Sequence, residues 1–323
     1  MLRQASAFVI AFGSALTLHA DIRCGDVLNS ASFQSRTRSD AQFATNGVYR
    51  GVPSGGALAT VFCTGTDTNP GTYLASTAEA LPFRLANVMI SVNGAAAPLL
   101  SVYVPPDAAY TQINFQMPTE RNASSYLGTS EGYVENPVRF RIGLLTFEAV
   151  GQRGIGGFFA DENGYAIAKH DIDGSPITLQ NPARPGETII VYGDDFFPVW
   201  PPPPIGRKVG QESSYERNPG TTESNFRFYG SHLYLQEYPQ YREKTLPNAS
   251  YGSFTTTPEL KITFAGLAPG MIGVEQINFV VPANQAPGDW ALFFNEGSCP
   301  DPSNCPARVR EGISSAYVKL PVR

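Results

Sequence analysis

The chain repeats itself at long range. Gln112-Ile113-Asn114-Phe115-Gln116-Met117-Pro118 returns 164 residues later as Gln276-Ile277-Asn278-Phe279-Val280-Val281-Pro282, and each copy has a related segment ahead of it. In the first, Val88-Met89-Ile90-Ser91-Val92-Asn93-Gly94 leads to Ala97-Pro98-Leu99. In the second, Leu260-Lys261-Ile262-Thr263-Phe264-Ala265-Gly266 leads to Ala268-Pro269-Gly270. A period this long exceeds the roughly 20–50 residues of a solenoid unit and implies a duplicated domain. At 323 residues the chain is long enough to bury two cores.

Both copies are β in pattern. Thr188-Ile189-Ile190-Val191-Tyr192-Gly193, Phe140-Arg141-Ile142, Asp289-Trp290-Ala291-Leu292-Phe293-Phe294 and Ala316-Tyr317-Val318-Lys319-Leu320 are short, rich in β-branched and aromatic residues, and bounded by Gly, Pro, Asn or Asp. No stretch after the N-terminus sustains a helical period with caps at both ends. The 31 Gly and 27 Pro fit a turn-rich fold. The expected architecture is all-β: two tandem immunoglobulin-like antiparallel β-sandwiches, at 21–150 and 151–323. The boundary falls at Gly151-Gln152-Arg153-Gly154-Ile155-Gly156-Gly157, after a strand from Leu144 to Val150.

The N-terminus reads as an export signal over residues 1–20. Arg3 precedes an apolar run from Ala5 to Leu18, too short to span a bilayer, and small residues lead to a cut after Ala20. Cys24 follows Asp21-Ile22-Arg23, which lacks the small apolar run of a lipid-attachment site, so a secreted, extracellular or cell-surface protein without a membrane span is expected. Four cysteines in an exported chain read as two disulfides. Cys299 and Cys305 bracket the turn-forming Pro-Asp-Pro-Ser-Asn, which favours Cys299–Cys305 with Cys24–Cys63 among the three possible pairings. A zinc site is disfavoured by that spacing and by the absence of a histidine beside any cysteine. With 23 Lys+Arg against 28 Asp+Glu, there is no basic footprint for nucleic acid.

The run of Val92-Asn93-Gly94, Ala97-Pro98-Leu99, Gln112 to Pro118, Asn181-Pro182-Ala183-Arg184-Pro185-Gly186-Glu187 and Gly266-Leu267-Ala268-Pro269-Gly270 with Gln276-Ile277-Asn278 resembles a family of secreted, roughly 200-residue domains abundant in acidobacteria. More loosely it resembles the IPT/TIG branch of immunoglobulin-like folds. The resemblance extends to Leu28-Asn29-Ser30-Ala31-Ser32-Phe33. It implies export and β-sandwich architecture, and carries no catalytic residue over, because no activity is assigned to that family.

Catalytic motifs are absent. There is no Gly-x-Ser-x-Gly elbow, HExxH, Walker loop or dinucleotide fingerprint, so no cofactor is expected and the chain reads as non-enzymatic. His170 and His232 are the histidines available to a triad, each in a polar stretch. Glycoside hydrolysis needs only two carboxylates, which Asp194, Asp195, Glu212 or Glu237 would supply, although Asp194-Asp195 reads first as a turn. Asp161-Glu162-Asn163-Gly164 and Asp171-Ile172-Asp173-Gly174 place oxygens before a glycine as calcium loops do, but without the closing glutamate they read as hairpin turns.

An insertion at about 200–254 carries the strongest sequence signal for binding. Trp200, four prolines, and then Tyr215, Tyr229, Tyr234, Tyr238 and Tyr241 set amphipathic rings along a long loop. These features favour a binding or adhesion module for an extracellular polysaccharide or protein. A hydrolase and a structural spacer are the alternatives.

Overall fold

The repeated motif forms the central strand of two separate sheets. A computed structural model describes residues 22–33, 36–38, 49–53, 55–78, 80–118, 136–143, 145–151, 156–196, 205–209, 231–237, 260–296, 313–314 and 317–323. All regular structure among them is β, and no helix there is long and apolar enough to cross a membrane.

The N-terminal half contains β1 (Arg23–Asn29), β2 (Arg36–Arg38), β3 (Tyr49–Gly51), β4 (Leu58–Thr64), β5 (Gly71–Leu74), β6 (Ile90–Val92), β7 (Ala95–Ala97), β8 (Leu99–Val104), β9 (Thr111–Gln116), β10 (Asn136–Ile142) and β11 (Leu145–Gly151). They assemble as a five-stranded sheet β1-β4-β9-β8-β5, a four-stranded sheet β11-β10-β6-β7 and a β2-β3 pair. The C-terminal half contains β12 (Gly157–Phe158), β13 (Ala168–His170), β14 (Thr188–Asp194), β15 (Ser231–Glu237), β16 (Lys261–Leu267), β17 (Glu275–Val280), β18 (Gly288–Glu296), β19 (Ile313–Ser314) and β20 (Val318–Val322). Here one sheet runs β12-β14-β17-β16 with β13 on β14, and the other is built on β18, which pairs with β15, β19 and β20.

Period-2 alternation explains the motif. Ile113 and Phe115 of β9, like Ile277 and Phe279 of β17, point inward and are fully buried. Gln112, Asn114, Gln276 and Asn278 point outward, where Gln112 Nε2 donates to Asn114 Oδ1 at 3.2 Å and Gln276 Nε2 to Asn278 Oδ1 at 2.8 Å. One core cluster takes Val61, Ile113 and Phe115 from the first sheet and Val92, Ala97, Phe140 and Ile142 from the second. The other takes Ile189, Ile277 and Phe279 from one sheet and Leu233, Leu292 and Leu320 from its partner. Each cluster thus lies between two sheets, as in a sandwich. The first ends at Ile142 and the second begins at Phe158, on either side of the Gly-rich stretch 151–157.

Strand register corrects the alignment of the segments ahead of the motif. Tyr103 and Gly266 pair with the repeated Gln, and Ser101 and Phe264 with the repeated Asn, with a register shift directly before each. The structural counterpart of Lys261–Leu267 is therefore Leu99–Val104, not Val88 to Gly94. The latter segment enters the other sheet as β6 and turns at Asn93-Gly94, whose φ angles of 50° and 87° suit a two-residue hairpin. The Ala-Pro pairs misled because they are short and fit any strand end. The paired Gln and Asn set the equivalence because both neighbouring strands register on them.

Candidate functional site

Most of the insertion lies outside the described residues. Trp200, Tyr215, Tyr229, Tyr238 and Tyr241 lie outside the described residues, as do Cys299, Cys305, Glu212 and residues 1–20. Tyr234 lies in β15 opposite Phe293, and Glu237 opposite Trp290. Cys24 and Cys63 form the expected disulfide, directly across the β1–β4 ladder.

Asp194 is sealed, not poised for catalysis. It ends β14 with no exposed surface, and the Leu58 amide donates to both its oxygens at 3.0 and 2.9 Å. Asn29 Nδ2 donates to its Oδ2 at 3.3 Å and to its backbone carbonyl at 3.4 Å. Burial pushes the Asp194 carboxyl well above the usual carboxylate range, and the neighbouring charges of Asp195 and Glu275 push it further. Asp195 is buried too, in the left-handed region at φ 60°. The buried Glu275 accepts from the Phe196 amide at 2.8 Å. Asp194 joins the two halves at a seam, and all three carboxylates are closed to a glycosidic bond in solvent.

Two further contacts close the seam. Gln116, buried, donates through Nε2 to the Gly56 carbonyl at 2.8 Å and accepts from the Gly206 amide through Oε1 at 2.7 Å. The Gly206 carbonyl accepts from Leu81 at 2.7 Å. Residues 205–209 thus form a strap, fixed on its other side by Gly270 donating to the Val209 carbonyl at 3.0 Å.

His170 is buried at the end of β13, not in an exposed polar loop. Its Nδ1 lies 2.9 Å from Glu187 Oε2, and Glu187 Oε1 in turn accepts from the Arg184 amide at 2.6 Å, so the pair closes a loop. The two acidic turns satisfy their own backbones. Asp161 Oδ1 accepts from the Asn163 and Tyr165 amides at 2.9 and 2.8 Å, and Asp173 Oδ1 from the Ser175 amide and hydroxyl at 2.9 and 2.7 Å. The Ser175 bonds hold the Asp173 carboxyl below its usual range.

The surface with a binding character is the outward face of the five-stranded sheet. Register places Leu28, Thr60, Asn114, Ser101 and Leu74 in one row, and Phe62, Gln112, Tyr103 and Thr72 in the next. Neither row contains a charged side chain, and Thr60 in the first is fully buried beneath its hydrogen-bond partners. Ser30 Oγ and Thr60 Oγ1 share a 2.9 Å hydrogen bond, Thr60 Oγ1 donates to Asn114 Oδ1 at 2.7 Å, and Asn114 Nδ2 donates to Ser101 Oγ at 2.7 Å. Gln112 keeps its Oε1 and a second N–H beyond its bond to Asn114.

Four rings run along this network. Phe33, Phe62, Tyr110 and Tyr103 follow one another with centroids 6.5, 5.7 and 6.3 Å apart, and Phe33 and Tyr110 are 53% and 36% exposed. Asn29 presents Phe33: its Oδ1 accepts from the Ala31 and Ser32 amides at 2.9 and 3.0 Å, closing the turn that places Phe33 at φ 53°. The same Asn29 reaches Asp194, so the seam positions the edge of the aromatic face. Sequence reading missed these rings because they are scattered singly, Phe62 and Tyr103 within strands and Phe33 and Tyr110 outside them. The available signal was the alternation of Phe62 and Tyr103 with buried valines.

No protein family and no curated protein matches the chain. Among solved structures, a match is found to an endo-fucoidan hydrolase from glycoside hydrolase family 107, at 12% identity and a TM-score of 0.16. That match covers 94% of this chain and 39% of the hydrolase chain, so the chain spans well under half the length of that structure.

Proposed function

We propose that the chain is an exported, non-enzymatic binding or adhesion module built as a tandem of two immunoglobulin-like sandwiches, acting on an extracellular polysaccharide or protein. The observation that carries this reading is the uncharged aromatic and amide face of the five-stranded sheet, where the exposed Phe33 and Tyr110 rings flank half-buried Phe62 and Tyr103 and Gln112 keeps hydrogen-bonding capacity beside them. A hydrolase would need two accessible carboxylates about 5–10 Å apart around a cleft. Two of the sequence candidates, Asp194 and Asp195, are buried instead. Export is supported by the Cys24–Cys63 disulfide, which suits an oxidising compartment.

The test is adsorption of the purified chain to polysaccharides and cell-wall material, with reducing ends assayed in the same tubes. Saturable adsorption without release of reducing ends is expected. Release that persists in an Asp194→Asn, Asp195→Asn double variant would show a hydrolase acting elsewhere, and absence of adsorption to any surface would leave a spacer.

A further inference from the structure

The outward face of the five-stranded sheet combines features that select among ligand classes. Its two central rows carry no formal charge, so an anionic polysaccharide would lose hydration there without meeting a cation. A protein partner is best matched by a contiguous apolar centre with a polar rim. Here Gln112 instead lies between Phe62 and Tyr103, and the hydrogen-bonded row of Asn114 and Ser101 runs beside them. Such interleaving matches a sugar, which offers apolar C–H faces to rings and hydroxyls to the groups between them. Ring geometry narrows the class further. Successive interplanar angles of 38°, 68° and 64° make a curved cradle, whereas a crystalline polysaccharide surface requires coplanar rings.

We infer that the arc Phe33, Phe62, Tyr110 and Tyr103, with Gln112 beside it, is a binding site for a single chain of a neutral, soluble polysaccharide. This rests on the binding reading above and names its ligand class and its place. Asn29 acts as a positioning residue, since it holds the turn that carries Phe33.

The experiment is affinity electrophoresis of the full chain through gels containing hydroxyethylcellulose, xyloglucan or arabinoxylan, with polygalacturonate as the anionic probe and microcrystalline cellulose in a pull-down. At least one neutral soluble chain should retard the protein, with no retardation by polygalacturonate and no depletion by microcrystalline cellulose. Phe33→Ala and Tyr110→Ala should each weaken retardation about tenfold. Ile172→Ala, at an exposed position in the C-terminal half, should leave it unchanged. Tyr103→Phe, which removes only a hydroxyl and keeps the packing, should weaken it a few-fold and covers the case in which a ring deletion unfolds the sheet. Equal retardation by polygalacturonate, undiminished affinity in both ring variants, or no retardation by any neutral chain would overturn the inference. Adsorption to cell-wall material that survives in a Phe33→Ala, Tyr110→Ala double variant would overturn this site while leaving the binding role standing.

Discussion

The sheets centred on β9 and β17 place the same Gln and Asn outward, in the same register, and surround them differently. Opposite the Gln stand Phe62 and Tyr103 in the first sheet, but Tyr192 and Gly266 in the second. Opposite the Asn stand Thr60 and Ser101 in the first, but Ile190 and Phe264 in the second. Tyr192 is covered by the Lys169 ammonium, 5.5 Å from its ring centroid, while no described cation lies over the rings of the first arc. The comparison separates scaffold from surface. The Gln–Asn bond stiffens both sheets, and the flanking positions make only one of them an aromatic face. One step along the same strands, Cys63 of β4 corresponds to Gly193 of β14: one holds a disulfide, the other has no room for a Cβ.

The difference is best broken at those last two positions. Replacing Cys24 and Cys63 together by alanine removes a crosslink between residues 39 apart. Loop-closure entropy sets the loss at about 4 kcal/mol, and hydrogen exchange should show deprotection of β1, β4 and β9 ahead of β14 and β17. Protection lost equally from both sheets would mean that the halves unfold only together. Gly193→Ala acts on the other side. Its Cβ would meet Phe196 Cζ at 2.2 Å and the Gly157 carbonyl oxygen at 2.4 Å, so a loss of about 1–3 kcal/mol is expected in urea unfolding.

Asp194 connects the two. Asp194→Ala strands the Leu58 amide and should cost about 1–3 kcal/mol. Asp194→Asn sharpens the point through pH. Because the folded-state pKa of Asp194 is raised, the folded protein holds a proton that the unfolded chain releases from about pH 4 upward. Its contribution is therefore complete below the ordinary carboxylate range and declines as pH rises toward the folded pKa. The urea midpoint of the native chain should fall relative to Asp194→Asn over that interval. A constant difference would exclude Asp194 as the titrating group.

The smallest expected effect compares the two motif asparagines directly. Asn114 bonds Thr60, Gln112 and Ser101, whereas the side chain of Asn278 has Gln276 as its described side-chain partner. Asn114→Ala should cost about 1–2 kcal/mol and Asn278→Ala about 0.5–1 kcal/mol by thermal unfolding. Equal losses would show that the wider network around Asn114 adds nothing to the shared bond.

Much of this frame is legible in the sequence, because alternation and repetition are local signals. Thr188 to Gly193, Phe140 to Ile142 and Asp289 to Phe294 fall within β14, β10 and β18. The Cys24–Cys63 pairing is also readable, from export, parity and the turn-forming loop that sets Cys299 beside Cys305 in sequence. What was not legible depends on contacts between distant segments. Asn29 and Asp194 are 165 positions apart, and only tertiary packing turns a turn-forming asparagine and an acidic strand end into one seam. The ring arc draws Phe62 and Tyr103 from two strands, Tyr110 from the connection ahead of β9 and Phe33 from a turn, so no window of sequence contains it. The tyrosine-rich insertion is the opposite case: its rings are dense in sequence, and most of them lie outside the described residues.

The strap has a consequence for how the chain tolerates change in length. Gly206, at φ 67° with Pro98 only 3.0 Å from where its Cβ would sit, cannot readily be replaced, and its two backbone bonds pin the connection between β14 and β15 in its first half. Lengthening a connection whose ends are already held costs only about 0.6 kcal/mol per doubling. Residues added on either side of 205–209 would therefore leave the seam undisturbed, while deletion of the strap itself would release both halves from the same five-residue anchor. The segment thus behaves as a splice point: new sequence placed beside it starts from a fixed origin on the molecule.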